Sequence, residues 1–166
     1  VVNKESQNLH AEMLLRYLGF KLKGEGSVER GREAALESLR RLSVPDAGWS
    51  LADGSGLSRV DVVTPAGIVA LLAAMDRHPH AAAFRDSLAV AGRDGTLATR
   101  LRGTPAEGRV LAKTGTLQLA NSLAGYVTTA RGERLAFALF VNNHAGRGRE
   151  AVVALDRVAV ALAEAR

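Results

Sequence analysis

Three short stretches of this chain carry residue types that could do chemistry. The first is Leu111-Ala112-Lys113-Thr114-Gly115-Thr116-Leu117, which sets one of only four lysines at the end of the apolar run Arg109-Val110-Leu111-Ala112. A strand bearing a cation, then two hydroxyls about a glycine, offers charge, donors and open backbone along one edge. Gly115 removes the side chain that would hold a ligand away from that backbone. Such an edge suits a peptide ending in a carboxylate, which adds as an extra strand and meets its charge partner in place. The plainer alternative is a surface turn with a solvated lysine. The second stretch, Ser6-Gln7-Asn8, opens a helical pattern in which Ser6 or Asn8 could cap free backbone amides. The third, Asp53-Gly54-Ser55-Gly56-Leu57-Ser58, is a glycine-rich turn with no lysine after it and no helix opening within it, so it fits no phosphate-cradling template. Asp53 is expected to cap local amides there, which makes Asp53, Gly54, Ser55 and Gly56 a structural turn.

The elements that must position these stretches follow from periodicity. Residues 5–18 read as a helix with Leu9, Met13 and Leu14 on the apolar face, widened by Ala11, Leu15 and Leu18, and with Gly19 as its C-cap. Residues 28–42 read as a second helix, ended by Val44-Pro45-Asp46. Trp49 to Ala52 looks like a short strand entering the glycine-rich turn. Thr64-Pro65 starts a buried helix over 64–77, with a hydroxyl at the N-cap and proline first in the helix. A short helix over 81–88 precedes a loop-rich stretch, 91–108. The last third changes period. Residues 109–117, 122–130 and 134–143 read as three antiparallel strands, the last two joined by a hairpin turn over 129–133. A helix over 150–165 packs on that sheet. The expected class is therefore α/β or α+β, an antiparallel sheet with flanking helices.

Composition narrows the partners. The 166 residues make one domain's worth of chain, with 47% hydrophobic residues, enough for a sizeable core. A net charge of +5 invites nucleic acid, but the basic residues are interleaved with acids, as in Glu29-Arg30-Gly31-Arg32-Glu33, and aromatics for base stacking are only 4%. No nucleic-acid role is expected; the basic surface equally suits an anionic polymer such as a cell wall. No apolar run reaches membrane-spanning length. The absence of cysteine excludes disulfides and thiolate metal sites, and the four histidines are scattered, so neither a metal nor another cofactor is expected.

Taken together, the stretches carry a resemblance. Ser-x-Asn at a helix start, then Lys-Thr-Gly on a strand 107 positions later, resembles two motifs of the active-site-serine penicillin-recognising enzymes. Three segments are most similar to the low-molecular-mass class C penicillin-binding proteins, the D-alanyl-D-alanine carboxypeptidase and endopeptidase family. They are Ser6-Gln7-Asn8 with Leu9-His10-Ala11-Glu12-Met13-Leu14-Leu15, then Asp53 to Arg59, then Ala112 to Leu117 continuing into Ser122-Leu123-Ala124-Gly125-Tyr126. The resemblance implies a penicillin-binding transpeptidase/β-lactamase-like fold, of which this chain is a partial, C-terminal portion. It also implies the substrate, a peptidoglycan stem peptide ending in D-Ala-D-Ala, with β-lactams as mimics, and a periplasmic or other extracytoplasmic location.

One departure is decisive for what this chain can do. The family's nucleophile motif is Ser-x-x-Lys, yet the residues three before the four lysines are Val1, Leu18, Phe20 and Val110. The chain is therefore expected to be unable to form an acyl-enzyme by itself. In the implied mechanism Ser6 relays a proton to the departing amine, and Asn8 binds the acyl-side amide and orients the motif lysine. Lys113 supplies positive potential, the Thr114 and Thr116 hydroxyls bind the terminal carboxylate, and the Thr116 amide is one oxyanion-hole donor. A non-catalytic peptidoglycan-binding relative or fragment and a β-lactamase-type hydrolase remain alternatives.

Overall fold

A computed structural model of the chain describes residues 1–144 and 148–166. Among the described residues, six α-helices, a short 3-10 helix (Gly95–Leu97) and four strands occur, in chain order α1 (Val2–Glu5), α2 (Asn8–Lys23), α3 (Val28–Arg41), α4 (Pro65–Asp76), α5 (Ala81–Ser87), β1 (Ala89–Val90), the 3-10 turn, β2 (Val110–Leu117), β3 (Ala120–Thr128), β4 (Arg134–Asn142) and α6 (Gly148–Glu164). The strands form one antiparallel sheet in the order β1-β2-β3-β4. Alternation along β3 sends Leu123 and Val127 to one face, where they pack with Val110, Ala112 and the α6 residues Leu155, Ala159 and Ala163. Tyr126 and Ala124 go to the other face and meet Leu72 and Ile68 of α4 and Phe84 of α5. The Tyr126 hydroxyl is satisfied there by donating to the Leu72 carbonyl at 2.7 Å. The sheet is thus covered on both faces, and α2 and α3 form a helical hairpin beside it.

Several elements differ from the sequence expectation. The helix expected over 5–18 is broken at Ser6, which sits in the left-handed region at φ 55° and ends α1. The capping expected of Ser6 or Asn8 is not made: the N-cap of α2 is Gln7, with no side-chain cap bond. Nor does Gly19 cap α2. The helix runs on to Lys23 and closes at Gly24, in the left-handed conformation at φ 78°. Gly19 is instead where α3 crosses: a Cβ there would lie 2.6 Å from the Gly31 amide nitrogen, and one on Gly31 would lie 2.3 Å from the Leu15 carbonyl oxygen. Leu9, Met13 and Leu14, expected to face the core, are 71%, 56% and 55% exposed. The side of α2 that packs on α3 is the one bearing Leu15 and Gly19, and nothing among the described residues covers the other.

Smaller shifts concern boundaries. The strand expected at 49–52 is a single bridge, Ser50 to Val62. β1 was not legible at all; its two residues pair with Ala112 and Leu111. α4 is capped by the Thr64 hydroxyl, which accepts from the Gly67 amide at 3.1 Å. At the β3–β4 hairpin the Thr129 amide donates to the Glu133 carbonyl at 2.8 Å, and Gly132 supplies φ 81°.

Candidate active site

The cleft is built on the unpaired edge of β2. β1 reaches Leu111 and Ala112, and among the described residues no strand pairs with β2 on that side from Lys113 onward. Ala91 donates to the Val110 carbonyl at 2.9 Å, which fixes the parity: even-numbered β2 residues aim their main-chain groups toward the β1 side. The amide and carbonyl of Thr116 accordingly face the open edge. Lys113 uses the same edge, its Nζ donating to the Thr114 carbonyl at 2.6 Å.

Gly115 has a reason within the sheet as well. It is the cross-strand partner of Ser122, and a Cβ at position 115 would stand 2.2 Å from the Ser122 hydroxyl oxygen. The glycine makes room for Ser122 within the sheet.

Ser6 and Lys113, 107 residues apart, meet across the cleft, with Lys113 Nζ donating to Ser6 Oγ at 2.7 Å. The left-handed turn at Ser6 is what brings this about, because it swings the hydroxyl off the α1 axis toward β2; such strain in a non-glycine residue concentrates at functional sites. α1 is itself anchored by Asn3, which donates to the Ser87 hydroxyl at 2.9 Å, and by an ion pair between Lys4 and Asp94. Burial pushes the Lys113 ammonium below the usual lysine range, and among the described residues Lys113 has no ion pair. A half-buried cation held by one hydroxyl and one carbonyl is an open site for an anion.

The remaining wall is the glycine-rich turn. Asp53 accepts from the Gly56 amide at 2.6 Å and from the Ser58 amide at 2.9 Å, while Glu12 of α2 accepts from the Gly54 amide at 2.7 Å. Asp61 accepts from the Ala52 amide. Burial pushes the Asp61 carboxyl above its ordinary value; the Ala52 N–H draws it the other way, and the charge of Asp53 adds to the rise. Across the mouth, Arg59 donates to the Gln118 side chain at 2.8 Å. The cleft is open, about 1000 Å³ in volume, and its walls include Ser6, Asn8, Asp53, Lys113, Thr114 and Thr116.

Sequence reasoning missed four residues of the site. Glu12 fastens the turn to α2. Thr96 places its hydroxyl 2.9 Å from that of Thr114. Asn121 and His144 form a chain behind Thr116, with Asn121 Nδ2 donating to Thr116 Oγ1 at 3.3 Å and His144 Nε2 lying 3.0 Å from Asn121 Oδ1. Only Asn121 left a signal, a lone amide at the head of an apolar strand.

The fold is that of a penicillin-binding protein. The chain superimposes on the crystal structure of penicillin binding protein 4 from Haemophilus influenzae, solved with a β-lactam, with a TM-score of 0.87 at 32% identity, covering 95% of this chain and 38% of that one. A predatory endopeptidase from Bdellovibrio bacteriovorus shares the fold, with a TM-score of 0.73 at 22% identity over 97% of this chain and 41% of that one. The chain belongs to the D-Ala-D-Ala carboxypeptidase 3 (S13) family, whose sequence pattern matches residues 1–162. Among its relatives are a D-alanyl-D-alanine carboxypeptidase of Actinomadura sp., 45% identical over 97% of this chain, and the carboxypeptidase DacB of Haemophilus influenzae, 35% identical over 85% of it. The chain spans 30% of the length of each of these two relatives.

Proposed function

We propose that this chain is the C-terminal part of the catalytic domain of a serine-type D-alanyl-D-alanine carboxypeptidase or endopeptidase, acting on peptidoglycan stem peptides outside the cytoplasm. It carries proton relay and carboxylate recognition, while the nucleophilic serine belongs to another part of the full-length protein. The observation that carries the reading is the 2.7 Å contact between Ser6 and Lys113 beside the free edge of β2.

In the complete protein the nucleophilic serine attacks the carbonyl between two D-alanines. Its proton passes to a base, an ester forms, and the C–N bond breaks as the departing amine takes a proton from the Ser6 hydroxyl, which recovers one from the protonated base. Ser6 suits that role because Lys113 donates to its oxygen and leaves its own proton free to be given. Lys113 and the Thr116 hydroxyl draw the terminal carboxylate to the edge, with Thr114 beside them. The Thr116 amide faces the carbonyl oxygen as charge develops on it. Asn8, at the first turn of α2, faces the acyl-side amide. Water then attacks the ester and releases the shortened peptide.

A fluorescent penicillin tests the reading. It should label the full-length protein covalently and leave this chain alone unlabelled. Labelling of this chain by itself would overturn the assignment of the nucleophile elsewhere. Lys113→Ala in the full-length protein should slow acylation about 10²–10³-fold, the range for loss of one charge-stabilising donor; an unaltered rate in a folded variant would remove Lys113 from the mechanism.

A further inference from the structure

Behind the carboxylate-binding edge stands the hydrogen-bond chain of Thr116, Asn121 and His144. We infer that His144, through Asn121, sets the polarity of the Thr116 hydroxyl, so that its proton points at the substrate carboxylate. The inference rests on the proposed function and deepens its account of carboxylate recognition.

The argument is one of donors and acceptors. Thr116 and Asn121 are directly opposed across β2 and β3, and Asn121 is only 3% exposed, so its amide must find partners inside the protein. Among the described residues its side chain meets Thr116 Oγ1 on one side and His144 Nε2 on the other. A carboxamide has one donating and one accepting end, which leaves two arrangements. If His144 Nε2 carries a proton, it donates to Asn121 Oδ1. Asn121 Nδ2 then donates to Thr116, and the threonine proton is free to point into the cleft. If Nε2 is bare, the amide turns over, Thr116 donates to Asn121 Oδ1, and the hydroxyl offers a carboxylate only lone pairs. The structure turns Asn121 Nδ2 toward Thr116 Oγ1 and Oδ1 toward His144 Nε2, the heavy-atom placement that the first arrangement requires. Oδ1 also faces the start of α6, where a Cβ on Gly148 would come within 3.5 Å of it. Among the described residues, His144 stands behind the cleft wall and meets Asn121, which lines it. It is a positioning residue.

The test separates anion recognition from general damage. In the full-length protein, acylation rates are measured with a penicillin and with its carboxylate methyl ester, and the acid-to-ester ratio is the readout. A residue that merely supports the fold slows both and leaves the ratio alone. His144→Leu, which removes the donor without adding charge, should lower the ratio about three- to tenfold, the worth of one neutral hydrogen bond. His144→Gln, whose amide can still donate, should hold it within about twofold of the parent. Asn121→Leu should match His144→Leu. If it fails to fold, the two His144 variants decide the matter, as His144 is only partly buried. A ratio unmoved by His144→Leu overturns the inference while leaving the proposed function standing. No preference for the acid in the parent protein would overturn carboxylate recognition at this edge.

Discussion

Lys113 is a cation that folding places in a poor environment. Burial favours its neutral form, and the groups that hold it, a serine hydroxyl and a threonine carbonyl, carry no negative charge. Its pKa is lower in the folded than in the unfolded chain. The unfolded state therefore binds more protons in the window between the lowered value and the ordinary lysine value, and stability rises with pH across that window. Below it the full penalty of the buried charge is present. Comparing denaturant unfolding of the parent protein with that of Lys113→Met should show the wild type gaining on the variant as pH climbs toward the ordinary lysine range. Parallel pH profiles would mean that Lys113 is solvated as well in the fold as outside it. At this scale the sequence was most legible where chemistry repeats in type: Ser6, Lys113 and the threonines stand at the cleft. Asn121 showed there only as a lone amide and its link to His144 not at all, because a two-step hydrogen-bond chain behind a strand leaves no pattern along the chain.

The elements show why helix and strand types were readable and boundaries were not. β2, β3 and β4 were readable because two covered faces make each a short, nearly continuous apolar run, a signal that each strand carries within itself. The break at Ser6 comes from tertiary anchors, Asn3 on Ser87 and Lys4 on Asp94, which hold α1 away from the α2 axis. β1 is two residues long and exists only because β2 is there to pair with it. Gly19 was misassigned for a related reason: a glycine near a plausible helix end and a glycine at a helix crossing look alike in sequence. The crossing makes a sharp prediction. Gly31→Ala puts a methyl 2.3 Å from a main-chain oxygen that cannot swing aside, so it should destabilise the protein by about 1–3 kcal/mol or more. Gly26→Ala, whose nearest neighbour would be 3.7 Å away, should stay within about 0.5 kcal/mol of the parent. Thermal or denaturant unfolding of both variants checks the pair, and equal effects would mean that α2 and α3 do not cross as closely as described.

At the scale of the molecule, α2 is apolar on two sides, and a helix that is apolar all round belongs in an interior. One side, with Leu15 and Gly19, is spent on α3. The other carries Leu9, Met13, Tyr17 and Phe20 at 71%, 56%, 55% and 56% exposure, spaced i, i+4, i+8 and i+11 so that they share one stripe. Contiguous exposed apolar surface of this kind marks an interface. The chain spans 30% of the length of its D-alanyl-D-alanine carboxypeptidase relatives, and the stripe predicts that in a protein of their length other residues cover it. Two preparations with the same substitutions distinguish this from an ordinary greasy surface. Leu9→Gln with Met13→Gln should reduce self-association of this chain alone in sedimentation experiments. In the full-length protein they should lower stability by about 2–5 kcal/mol, the cost of emptying two buried aliphatic sites. A full-length protein indifferent to the pair would show that α2 faces water there too, and the Ser6 turn, which α2 continues, would then be held only by α1 and the sheet edge.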